Sequence, residues 1–166
     1  MKALFFFIII LLSIDMKEYL GRSINDFPNA IRLNEETDSN INSYGLEGSF
    51  EFYNRSFSFL NFETDINDTI IGVGFVLDDK IDKILFNKLS ESFGKPNTML
   101  KFGDMVNQQA INHIDYRSLM TKSLAVKCSF EENPAIIIWE LEQMKVVVQK
   151  HPDNNHTLIK YTTKDN

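Results

Sequence analysis

The chain is 166 residues long, carries a formal net charge of −6 and contains a single cysteine. An acidic balance without a basic, aromatic-interleaved cluster excludes a nucleic-acid backbone as the partner, because that affinity comes from clustered Lys and Arg. One cysteine excludes an internal disulfide framework, and a domain of roughly 150 residues buries enough surface to fold without disulfide or metal.

Residues 1–15 begin with Met1-Lys2, continue as an unbroken apolar run over residues 3–12, and end on Ser13, Ile14 and the charged Asp15. One cation, a short apolar core and a polar boundary are the layout of a signal peptide. Ten residues of helix span roughly 15 Å against a bilayer core of ~30 Å, so the run is too short for an ordinary span. Cleavage is expected near Ser13, although Leu11 is a poor partner two positions before it. The competing readings are an uncleaved anchor, a buried first element, and translation from Met16, which would make the protein cytoplasmic. The expectation is export, periplasmic or secreted, with no stable membrane span after cleavage. Residues 16–166 then form one α+β domain of about 150 residues.

Residues 19–43 are polar and irregular, with Ser23 placed to cap a short helical turn. Residues 48–62 read as a hairpin that turns at Asn54-Arg55. Phe50 and Phe52 share one face of its first strand, and Phe57 and Phe59 alternate on its second. Leu60 and Phe62 then take the opposite parity, which requires either a bulge near Leu60 or cover on both faces. Asn67-Asp68 make the next turn. Residues 69–77 are apolar at both parities, Ile70 and Val76 on one face and Ile71, Val73, Phe75 and Leu77 on the other. Such a strand is central and buried on both sides.

Residues 79–93 carry the clearest helix signal. Asp78 or Asp79 caps it, Ile81, Ile84, Leu85, Leu89 and Phe93 form its stripe, and Gly94 and Pro96 end it. A short strand at 98–102 follows, and residues 104–123 are ambiguous. Residues 124–130 alternate, placing Cys128 in the core with Leu124, Val126 and Phe130. Residues 135–141, including Trp139, are again apolar at both parities, and strands at 145–150 and 157–163 close the chain. Lys145, Lys150, Lys160 and Lys164 on these last segments read as guards of exposed strand edges. The whole is α+β: a curved, mainly antiparallel sheet of about seven strands with one principal helix packed on one face.

Known catalytic and cofactor motifs find no match. Gly72-Val73-Gly74 lies inside a strand, so it reads as a bulge or close packing rather than a dinucleotide loop. His151 and His156, with Asp153 between them and His113 elsewhere, are too loosely placed to imply a metal site. Asp65-Ile66-Asn67-Asp68 lacks the glycine and the closing glutamate of a calcium loop. A thiol nucleophile would need Cys128 beside His113, oriented by Asn112 or Asp115. No cofactor or metal is expected.

Two doubly apolar strands and one helix leave a sheet face in need of cover. The aromatic residues Phe50, Phe52, Phe57, Phe59, Phe75 and Trp139 are therefore the candidate binding surface. The leading expectation is an exported, non-enzymatic protein that binds a protein partner or an apolar ligand through the sheet. The alternatives are an immunity-type or inhibitor protein neutralising a toxin or enzyme, whose acidic surface would suit a basic partner, and an enzyme using Cys128 or the histidines.

Overall fold

A computed structural model describes residues 15–33, 40–102, 125–150 and 155–164. Residues 1–14 of the leader, the ambiguous stretch 104–123 with Asn112, His113 and Asp115, and the loop residues His151 and Asp153 lie outside the described residues.

Among the described residues, nine strands form one open sheet. They are β1 (Ile31–Arg32), β2 (Asn42–Phe52), β3 (Arg55–Thr64), β4 (Ile70–Leu77), β5 (Thr98–Phe102), β6 (Ala125–Lys127), β7 (Ile136–Glu140), β8 (Met144–Lys150) and β9 (Thr157–Thr163). The spatial order is β1-β2-β3-β4-β9-β8-β7-β5-β6, and every neighbouring pair is antiparallel. The α+β class holds, but the sheet is larger than the expected seven strands. The two-residue β1 sits in a stretch that reads as irregular, and β2 begins well before Gly48.

The single α-helix, α1 (Lys83–Phe93), starts later than expected. Asp82, not Asp78 or Asp79, is its N-cap, and the Leu85 amide donates to Asp82 Oδ1 at 2.8 Å. The shift moves the stripe: Leu85 and Leu89 are buried, Phe86 and Phe93 pack beside them, and Ile84 points to solvent. Gly94 ends the helix with φ +80°, and its carbonyl accepts the Trp139 indole N–H at 2.9 Å. That bond ties the helix end to β7.

One face of the sheet is closed by α1 and by the segment that precedes β1. Met16, Tyr19 and Ile24 are buried there, and the rings of Tyr19, Phe27 and Phe62 meet at 5.2–5.5 Å. Two short 3-10 turns shape this segment, Met16–Tyr19 and Ile24–Asp26; Ser23 caps the second, as its sequence position predicts. Phe52, Phe57, Phe62, Val73, Phe75, Leu77, Ile137, Trp139, Val146, Val148, Ile159 and Tyr161 complete this core.

Two irregularities re-aim the strands. In β2 the register shifts between Glu47 and Phe50, so the strand carries an extra residue around Gly48-Ser49. Opposite this shift, Phe57 is buried while Phe59 is 39% exposed, although their spacing suggests one common face. In β4, Glu63 pairs with Gly72 but Thr64 pairs with Ile70, which makes Ile71 the extra residue. Ile70 therefore joins the core instead of sharing a face with Val76. The hairpin turns at Tyr53-Asn54, one residue earlier than expected. Both have positive φ (49° and 65°), as a two-residue turn matched to strand twist requires.

Candidate functional site

The expectation of double-sided burial divides between the two strands. In β7 it holds: Ile137 and Trp139 face the main core, while Ile136 and Ile138 pack with Leu100 in a second cluster. In β4 it does not. Val73 is fully buried, but Val76 is 47% exposed. The reason is compositional: the positions sharing a face with Val76 are Gly72 and Gly74, which bring no apolar side chain to bury.

Among the described residues, the face opposite α1 leaves apolar side chains of β1, β3, β4 and β9 exposed. In register, Ile31 lies opposite Gly45. A Cβ built on Gly45 would meet the Phe59 ring and Leu33, so these side chains share that face. Ile31, Leu33, Phe59, Val76 and Leu158 are five of the nine large apolar side chains left most exposed among the described residues. Concentration on one face, rather than scatter, marks an interaction surface.

At the centre of this face lies a groove of about 890 Å³. It forms where β3 and β4 part. Their ladder covers only residues 61–64 of β3 against 70–74 of β4. Beyond it, among the described residues, 55–60 of β3 pair only with β2 and 75–77 of β4 only with β9. In place of backbone pairing, the Phe57 and Phe75 rings stack across the split with centroids 4.4 Å apart and planes 18° apart. These rings form the floor and seal the core from the groove.

The walls mix apolar and polar groups. Phe59, Val76 and Leu158 contribute apolar surface, and Ser49, Ser56, Ser58 and Asn61 contribute hydrogen-bonding groups. Lys160 Nζ donates to Glu63 Oε1 at 2.6 Å. Their backbones sit on β9 and β3, on either side of Gly74 and Gly72, so the ion pair reaches over the central strand. The glycines make this possible: a Cβ at Gly72 would lie 2.8 Å from Glu63 Oε2. Asp78 stands at the groove mouth, 3.6 Å from His156 Nε2.

Of the six aromatic residues expected to form a surface, Phe52, Phe57, Phe75 and Trp139 are in the core and Phe50 packs against it. Phe57 and Phe75 still reach the groove through its floor, and Phe59 lines it openly. The structure thus brings three of the six together and leaves Phe50, Phe52 and Trp139 on the closed side. Lys160 is not an edge guard. Both β8 and β9 are interior strands, and their lysines occupy half-exposed positions within the sheet. Sequence reading missed Glu63, Val76, Leu158 and Lys160 as a group. The signal was present in the shared parity of Gly72, Gly74 and Val76, and of Leu158 and Lys160.

Cys128 lies just beyond the short edge strand β6 and is half-buried rather than a core residue; Val126 beside it is exposed. Burial, and then the Glu132 carboxylate, push its thiol pKa up, which disfavours the nucleophilic thiolate. Among the described residues, no group of three His, Cys, Asp or Glu side chains is placed to hold a metal ion. None of their helices is long and apolar enough to cross a membrane.

No family model, curated protein or solved structure matches this chain. The functional reading therefore rests on the groove.

Proposed function

We propose that the chain is an exported, non-enzymatic binding protein whose ligand lies in the groove on the open face of the sheet. The observation that carries this reading is the groove itself. Its volume of about 890 Å³ is within the range of ligand sites, and apolar walls with a few convergent polar groups are their usual lining. Of the three charged groups that line it, Glu63 and Lys160 are paired with each other and Asp78 lies beside His156, which suits recognition better than proton transfer. Export rests on the apolar leader with its polar boundary at Ser13 and Asp15.

The test is a titration with the apolar dye ANS. The native protein should enhance the dye's fluorescence saturably. A Val76→Glu, Leu158→Glu double variant should lose that enhancement while keeping the near-ultraviolet circular dichroism of the buried Trp139. Equal enhancement in both folded proteins, or none in either, would overturn the reading.

A further inference from the structure

We propose that the occupant of this groove is an extended polypeptide segment, bound by strand addition to the facing edges of β3 and β4. The inference rests on the reading of the groove as the binding site and gives that site a ligand class.

The argument starts from the split ladder. Among the described residues, no strand pairs with residues 55–60 of β3 or 75–77 of β4 on the sides that face each other. Backbone N–H and C=O groups are obligatory hydrogen-bonding groups. A purely apolar ligand settling in this groove would take them out of water and leave them unpaired, at a cost comparable to a lost hydrogen bond for each. An extended segment supplies donors and acceptors at the matching spacing, as in other sheets that accept an added strand.

The Phe57–Phe75 stack strengthens the case. Because the rings close the floor, the split is a built feature with the core sealed beneath it. Phe59 on β3 and Val76 on β4 stand on either side, where alternate side chains of an added strand would lie. Among the described residues, no strand pairs with the outer edge of β2 past Gly45, and the extra residue around Gly48-Ser49 breaks the register there, a feature that blunts an edge against pairing. Asp78 at the mouth and the overall charge of −6 favour a segment with a basic end.

The experiment uses the folded chain and a phage-displayed library of random dodecapeptides. Enriched peptides should bind the native protein and lose affinity by about tenfold or more when single alternate amides are N-methylated. They should also lose binding to Val76→Glu, and they should slow amide hydrogen exchange in residues 55–60 and 75–77. Absence of enrichment overturns the proposal, as do peptides that tolerate N-methylation at every position or bind Val76→Glu equally well. The ANS titration separates the two levels. If the dye still reports the groove while the peptides fail, only the polypeptide ligand falls. If both fail, the groove is not the site.

Discussion

Val73 and Val76 lie on one strand, three residues apart, yet on opposite faces, and truncating each to alanine measures whether the second face is open. Val73 is 0% exposed and Val76 is 47% exposed. Val→Ala removes two methyl-sized groups, worth about 1.6 kcal/mol if fully buried at ~0.8 kcal/mol each. At Val73 the tightly packed surroundings add a cavity term, which brings the expected loss to about 2–3 kcal/mol. At Val76 roughly half the transfer term applies and no cavity forms, so the loss is about 0.8 kcal/mol. The lower strand preference of alanine affects both sites alike and cancels in the difference. A gap of about 1.5 kcal/mol corresponds to roughly 3–6 °C in melting temperature for a domain of this size. Urea unfolding at constant m-value reads the two losses directly. Equal losses at both positions would show that the face bearing Val76 is covered in solution, and the reasoning that leads to the groove would fail.

The two groove glycines should respond differently to alanine. At Gly74 the nearest atom to an added Cβ is the Ile159 carbonyl oxygen at 3.7 Å; Gly74→Ala should therefore stabilise by about 0.4–1 kcal/mol through the unfolded chain while filling the groove and weakening ANS binding. At Gly72 the new Cβ would displace the Glu63 carboxylate, so Gly72→Ala should show no such gain in a thermal melt. Asp82→Ala removes the cap of α1 and should cost about 1 kcal/mol at neutral pH. The Leu85 amide, with Arg55 beside it, holds the Asp82 carboxyl below the usual carboxylate range. Its contribution is thus present above the unfolded-state pKa and lost as pH falls through the folded value, so the gap between native and variant should close on acidification. A gap that widens in acid would contradict the cap. The Cys128 thiol should alkylate slowly at neutral pH in the folded protein and faster as pH rises; rapid reaction at neutral pH would reveal an activated thiolate.

Much of the architecture is legible as pattern. Trp139 and its isoleucine neighbours announce a strand buried on both faces, and Gly94-Lys95-Pro96 mark a helix end where one occurs. The turn at Asp68 and the cap at Ser23 are local chemistry and read correctly. What pattern could not give is parity across irregularities. In β3 the buried parity changes between Phe57 and Leu60, opposite the extra residue of β2, and an extra residue at Ile71 separates Ile70 from Val76. The parity change at Leu60 signals an irregularity in the hairpin, but its place, on β2 opposite Ser58, is a property of two strands in register. The same limit hid the site. The aromatic residues that look like a surface are mostly the core, since rings large enough to attract notice are also those that bury the most area. The open face is built from small or ordinary side chains, Gly72, Gly74, Val76, Leu158 and the Glu63–Lys160 pair. They become a site only when β9 pairs with β4, across a long stretch of sequence that encloses α1 and four other strands.

The most direct test of the account is the accessibility of position 76. Val76→Cys, in a Cys128→Ser background, is treated with a maleimide while folded, alongside Val73→Cys in the same background. The account predicts that the thiol at 76 labels at close to the rate of the unfolded chain while the thiol at 73 is protected. Protection at both positions would mean that something already covers the open face, and the proposed groove would not be a binding site.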